Sequence, residues 1–193
     1  MPGRYVAAAP PSSRVLLTGP AAEIRKRRVE RMQSSRARWH LDEMFVTVNG
    51  ERHYLWRAVD HEGEVLESFV TKRRDKNAAL KFLKKSLKRH GRADEFVTDR
   101  LRSYGAALGE MGIRDRQQTG RWMNNRAENS HLSFRRRERA MLRFRQMRSL
   151  QKFASVHASV LNLFNSERSL SSRQNFKLNR AAALAEWRGL FAA

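Results

Sequence analysis

The pattern of apolar and polar positions becomes regular at Trp39. WHLDEMFVTVNG has the apolar and β-branched character of a strand, and Asn49-Gly50 is a strong signal for a tight hairpin turn. RHYLWRAVD predicts a second strand, HEG a turn and EVLESFVTK a third strand, so the three form an antiparallel meander. The period then changes. In DKNAALKFLKKSLKRHG, Ala79, Phe82, Leu83 and Leu87 recur at helical spacing, and Gly91 supplies the stop. EFVTD reads as a short fourth strand, SYGAALGEMG as a short helix and IRDRQQ as a weak fifth strand. From Asn124 the chain is helical again. SLQKFASVHASVLNLFN carries an apolar stripe through Leu150, Phe153, Val156, Val160, Leu163 and Phe164, most economically used in core packing. AAALAEWRGLF predicts a short amphipathic helix at the end of the chain, and no internal repeat is visible.

Before Trp39 the pattern is absent. Proline, alanine and serine come first, then the basic stretch EIRKRRVERMQSSRAR with little apolar face. The expected division is an irregular basic arm over 1–37, a folded domain over 38–166 and a tail with a short helix over 167–193. Three antiparallel strands, helix, strand, helix, strand, helix is the element order of an RNase H-like α/β fold. That fold has a mixed five-stranded sheet flanked by helices, as in retroviral integrases. Fold order alone does not assign a function.

Charge narrows the choice of partner. The chain of 193 residues has 40 Lys+Arg against 19 Asp+Glu, a formal net charge of +21. Such a charge opposes compaction and favours a polyanion, with nucleic acid first and an anionic membrane second. No stretch approaches the roughly 20 apolar residues of a membrane helix, and the leading residues lack a clean apolar signal core. The absence of cysteine excludes disulfides, thiolate zinc sites and cysteine nucleophiles, and fits a cytoplasmic protein.

Against this background three acids stand out. Asp42 lies in the first strand among apolar residues, Asp99 ends the fourth strand and Glu128 opens a helix otherwise rich in arginine. Each has a plain structural reading: a strand acid paired with arginine, a turn cap, a partner for the helix dipole. In the expected topology the first and fourth strands are neighbours, and the helix can bring its first turn over their ends. Three carboxylates gathered there repel one another, and divalent cations resolve that repulsion. Mg²⁺ takes oxygen ligands, whereas thiolate and imidazole suit softer metals.

The set WHLDE, YLWRAVD, VTDRLRSYGAAL, NNRAENSH and RRRER resembles the insertion-sequence transposases with a DDE catalytic domain, in particular the cointegrate-forming IS-six family. The similarity covers roughly residues 38 to 165. It implies an RNase H-like fold and a metal-bound triad of Asp42, Asp99 and Glu128, with Mg²⁺ as cofactor and Mn²⁺ as substitute. It implies hydrolysis of a phosphodiester at the element's end, then attack of the released 3′-hydroxyl on target DNA. The implied partners are transposon ends, target DNA and further copies of the chain, as a homodimer or larger synaptic complex. The implied setting is prokaryotic, cytoplasmic and nucleoid-associated. Two departures stand out. The first 37 residues are too few and irregular for the helix-turn-helix segment that such enzymes carry, so the chain reads as N-terminally truncated. Only 28 residues separate Asp99 from Glu128, which predicts a shortened loop.

Arg135 matches the basic residue that the family carries on its catalytic helix, facing DNA. Arg126, Arg136 and Arg139 are further candidates for DNA contact, although the arginines around position 135 cannot all share one helix face. His131 is a candidate for contact with a phosphate near the metals. Phosphate contacts of this kind position DNA without reading its sequence, and their affinity falls steeply with salt. Asn124 and Asn125 are candidate helix caps. His40 is assigned a strand-edge role, Trp56 a place in the core, and Ser103 with Tyr104 a helix start and packing. Trp39 and Trp122 are candidates for stacking on bases, and KKSLKRH (84–90) for a solvated basic face. Two competing readings remain: a non-catalytic nucleic-acid-binding module or inactive transposase fragment, and another RNase H-like nuclease.

Overall fold

The computed structural model describes residues 38–61, 63–120, 122–141, 144–164 and 172–191. The arm expected over 1–37 and the boundary expected at 166/167 lie outside the described residues.

The meander is present: β1 (Arg38–Val48), β2 (Glu51–Asp60) and β3 (Val65–Thr71). Asn49 and Gly50 both have positive φ, 49° and 83°, the geometry that Asn-Gly adopts most readily in a two-residue hairpin. Helix α1 (Lys76–His90) follows. Its Asp75 cap accepts a hydrogen bond from the Ala78 amide at 2.8 Å, and Gly91, at φ 81°, closes the other end. Next come β4 (Glu95–Thr98), α2 (Arg102–Glu110), a 3₁₀ turn over Arg114–Arg116 and β5 (Gln117–Thr119). The weak fifth strand therefore exists but starts later than IRDRQQ suggests, because its first half is wound into the 3₁₀ turn. Two helices, α3 (Asn125–Ala140) and α4 (Met147–Phe164), complete the domain. A bridge between Val48 and Phe144 lies in the interval between them. Helix α5 (Arg173–Phe191) is longer than the terminal amphipathic segment predicts.

The sheet order is β3-β2-β1-β4-β5. The β1–β2 and β2–β3 pairs are antiparallel, while β1–β4 and β4–β5 are parallel. This is the RNase H-like arrangement, and it puts β1 in the centre. Apolar clusters fill both of its faces, the smallest made by Val59, Val65, Ala127 and Ala158. Trp39, Leu41, Trp56, Phe82, Leu83, Phe96, Tyr104 and Leu108 pack beneath α1 and α2. Met44, Val46, Leu55, Val70, Phe134, Phe144, Leu150 and Ala154 pack beneath α3 and α4. Trp56 is in the core, as expected. Trp39 is buried too, edge-on to Phe96, so it is not available for stacking on bases. His40 is 5% exposed in the central strand, which corrects its strand-edge assignment.

Edge strand β3 offers backbone groups that would otherwise need water or another strand. Helix α4 takes them up with two side-chain amides. Gln151 accepts from the Val70 amide at 2.8 Å and donates to the Ser68 carbonyl at 2.7 Å. Asn162 does the same with both groups of Val65, at 2.8 and 2.7 Å. On the other face, Lys85 and Arg89 of α1 reach the buried Glu67 at 3.4 and 2.7 Å. The KKSLKRH run is therefore a solvated face only in part.

Two outcomes follow from this packing. Phe82→Ala should cost about 3–5 kcal/mol in urea denaturation, the usual range for deleting a buried aromatic ring, while the exposed Lys84→Ala should change little. His157 lies among Phe134 and Phe153, with ring centroids at 5.5 and 5.7 Å. Burial first, then Arg57 and Arg137, lower its pKa from 6.5 to about 4. The unfolded chain therefore takes up this proton first as pH falls, and stability should decline from pH 6.5 towards pH 4. Denaturation midpoints across that window should fall less steeply for His157→Leu than for the wild type.

Candidate functional site

The site begins where β1 and β4 run side by side. Leu41 and Thr98 are the last parallel pair, so Asp42 and Asp99 each stand one residue beyond it, on neighbouring segments. Asp99 follows β4 rather than ending it, and its Oδ1 accepts a hydrogen bond from the Leu101 amide at 3.0 Å. That turn holds the carboxylate at the mouth of the sheet. The strand end is fixed from the other side by Gln117 of β5, which donates to the Thr98 hydroxyl at 2.8 Å.

A third carboxylate joins them, and it is one the sequence reading did not single out. Carboxylate oxygens of Asp42, Glu43 and Asp99 all lie within 4.8 Å of one another. The only available signal was the doubled acid in WHLDE. The Glu43 side chain is 3% exposed; its Oε1 lies 3.3 Å from Arg74, and its buried Oε2 makes no close hydrogen bond among the described residues, although the Tyr104 hydroxyl acts on this carboxylate.

Electrostatics record the crowding. Asp42 is raised from 3.8 to about 7, by burial first, then by the charge of Asp99, with a further contribution from Glu128. Glu43 is raised from 4.5 to about 8, by burial, then Asp99 and Asp42, against the opposing pull of Arg74. Buried Tyr104 faces the same acids, and its phenol is held well above its ordinary value by burial and then Glu43. Carboxylates with ligand atoms this close are a donor set that suits a hard divalent cation such as Mg²⁺ or Mn²⁺.

Helix α3 is seated over this point by two polar contacts. Asn124 occupies the cap position but makes no side-chain cap bond. Its amide instead donates to the Leu41 carbonyl at 2.9 Å, which ties the helix start to β1 beside Asp42. The expected capping role is thereby corrected, and Asn125 is the first helical residue. The second contact is Arg57, fully buried and directly opposite Asp42 in the β1–β2 register. Its Nη1 donates to the Ser130 carbonyl at 2.5 Å, and its guanidinium lies 5.5 Å from the Phe134 ring centroid. Burial lowers its pKa to about 9, so it remains a cation at neutral pH.

Glu128 is exposed in the first turn of α3. It is outside the group of three close carboxylates, yet its charge is felt at Asp42. One helical turn on, His131 places Nδ1 3.4 Å from Asp42 Oδ2. Burial, then Arg57 and Arg135, lower this histidine to about 3. It is therefore neutral, and the contact is not an ion pair. Arg135 donates to Glu138 at 2.7 Å. Arg136 and Arg139 are exposed, and Arg126 is half-buried with its charge acting on His40. Trp122, at φ 70°, is 72% exposed just before α3.

The strand order defines an RNase H-like domain, and the acids gathered beside the β1–β4 pair give it an acidic site. A sequence profile of the DDE domain of IS240-type transposases matches residues 36–167, and the chain belongs to that family. It is 31% identical over 100 residues to the transposase for insertion sequence-like element IS431mec of Staphylococcus aureus (strain N315), covering 49% of this chain and 44% of that one. The same figures hold for the transposase of element IS257 in transposon Tn4003 of Staphylococcus aureus. An uncharacterized protein, pYV0051, of Yersinia pseudotuberculosis is 38% identical over 73 residues, 36% of this chain and 68% of that one. The aligned part thus spans less than half the length of the Staphylococcus relatives. Among solved structures, the Mos1 transposase catalytic domain superposes with a TM-score of 0.49 at 12% identity, covering 96% of each chain. That likeness is too distant to add to the strand order.

If the acids form a cation site, Mg²⁺ should raise the melting temperature of the wild type by binding the folded state alone. Asp42→Asn should melt higher than the wild type without Mg²⁺, because it removes one of the repelling charges, and should lose the Mg²⁺ shift. Differential scanning calorimetry with Mg²⁺ and with EDTA checks both parts.

Proposed function

We propose that this chain carries the catalytic domain of an insertion-sequence transposase, which cuts DNA and transfers the cut strand. The reading assigns the irregular arm to 1–37, the DDE catalytic domain to 38–166 and a tail to 167–193. The observation that carries it is the meeting of Asp42, inside β1, and Asp99, just past β4, where the parallel pairing of the two strands stops, with the charge of Glu128 reaching Asp42 from α3. Asp42, Asp99 and Glu128 would hold Mg²⁺, or Mn²⁺ in its place. Divalent cations in such a site activate an attacking oxygen and stabilise the leaving one in phosphoryl transfer.

The chain's own residues supply placement. Arg57 and Asn124 hold α3 on the sheet, and from its first turn Glu128 would complete the set begun by the two aspartates. Neutral His131 beside Asp42 can donate a hydrogen bond to that carboxylate without competing for a cation's charge. Arg126, His131, Arg135, Arg136 and Arg139 would line the DNA path, with His131 already turned towards Asp42. The overall charge of +21 draws DNA to the domain irrespective of sequence. In the first step a water oxygen bonds to phosphorus and the 3′-oxygen leaves as a hydroxyl. In the second, that hydroxyl attacks a phosphodiester of target DNA and displaces a new 3′-hydroxyl. Joining two element ends calls for at least two copies of the chain.

The test is incubation with supercoiled plasmid in Mg²⁺, Mn²⁺ or EDTA. Wild type should nick it only with a divalent ion, and Asp99→Asn and Glu128→Gln should fall to background while still binding DNA. Strand-transfer products mark a transposase, and hydrolysis alone a nuclease. Binding without nicking in all three proteins would contradict the catalytic reading.

A further inference from the structure

Beyond the acids, β1 carries an exposed aromatic in an unusual setting. Phe45, three residues past Asp42, is 55% exposed on the part of β1 that pairs with β2 but extends beyond β4. Two guanidiniums lie over its ring, Arg52 of β2 at 5.3 Å from the centroid and Arg135 of α3 at 4.8 Å. A strand rises about 3.3 Å per residue, so Phe45 is about 10 Å from Asp42 along β1. The helix makes the same connection. His131 touches Asp42, and Arg135, one turn later on the same helix face, touches Phe45. Asp42 and Phe45 do not share a face of β1, since strand side chains alternate; α3 links them, with His131 at Asp42 and Arg135 at Phe45, and Arg52 lies over the same ring.

We propose that Phe45 is a positioning residue for DNA: it holds Arg52 and Arg135 together as a clamp on the phosphodiester backbone of the strand leaving the acidic site. This rests on the DNA-processing reading above. Long arginine side chains lose rotamer freedom when they bind, and an aromatic face that restrains the guanidinium lowers that cost while leaving its N–H edge free to donate. Arg135 is further restrained by its 2.7 Å bond to Glu138, which occupies Nη1. The occupant follows from charge: two cations linked through α3 to the acids suit a polyanion running outwards from them. Phe45 itself contacts no phosphate in this scheme, so its contribution is separable from charge.

The experiment is binding of the full chain to fluorescently labelled duplex DNA in EDTA, where no cleavage can occur, over a series of salt concentrations. Phe45→Ala should bind roughly five- to tenfold more weakly, the scale of two lost cation–π restraints, and Phe45→Trp should bind within about twofold of wild type. Arg135→Ala should flatten the salt dependence by about one ion contact. The effects should also be coupled: Arg52→Ala should cost less in the Phe45→Ala background than in the wild type. Phe45 is largely exposed, so these variants should keep the wild-type circular dichroism. Wild-type affinity in Phe45→Ala, with DNA binding otherwise intact, would overturn the clamp alone. A wild type that fails to bind DNA would overturn the functional reading and the clamp with it.

Discussion

Everything at the site depends on one electrostatic constraint: carboxylates that cannot all be charged comfortably where the backbone puts them. The parallel pairing of β1 with β4 fixes Asp42 and Asp99 side by side, and the next residue of β1 adds Glu43. Burial and mutual repulsion lift Asp42 to about 7 and Glu43 to about 8. A fold organised only for stability gains nothing from such an arrangement, because the buried carboxylates of Asp42 and Glu43 carry a desolvation cost beside a third negative charge. Arg74 offsets part of it at Glu43. The remainder is the kind of strain that a bound divalent cation removes.

The second element is the seating of α3. A helix this rich in arginine has little apolar surface to pack with; Ala127, Ser130 and Phe134 are its buried residues. Polar contacts do what a wider apolar stripe does for α4. Arg57 rises from β2 into the underside of α3, and Asn124 pins its first turn to β1. A fully buried cation is costly to desolvate, and its position opposite Asp42 ties the helix to the acidic stretch of β1. The same helix then presents exposed arginines at 136, 137 and 139 outwards. One element thus joins the acids to the basic surface that the composition requires.

Much of the fold was legible because local signals agreed with one another. Asn49-Gly50 specified its hairpin, the change of period after Thr71 marked α1, and the parallel neighbours β1 and β4 followed from element order. The weak stretch was IRDRQQ, where only Gln117 and Gln118 are strand, held with Thr119 by pairing with β4 rather than by their own pattern. The site was legible only in outline. Asp42 and Asp99 could be placed because each ends or interrupts an apolar run. Glu43 could not, since alternation along a strand predicts opposite faces for neighbours, and only the packing brings its carboxylate back to the cluster. Arg57 was hidden for a related reason. A lone arginine in YLWRAVD reads as a solvated strand residue, and its burial depends on a helix more than seventy residues away. Asn124 looked like a cap from sequence, but the backbone geometry sends its side chain across to β1 instead.

The most direct test of the central claim is to count bound metal. Mn²⁺ titrated into the wild type and followed by electron paramagnetic resonance should show saturable loss of the free-ion signal. The bound fraction should shrink in Glu128→Gln and vanish in Asp99→Asn at the same concentrations. Saturable binding of equal strength in all three proteins would contradict the account, because the acids gathered where β1 and β4 part would then not be the cation site.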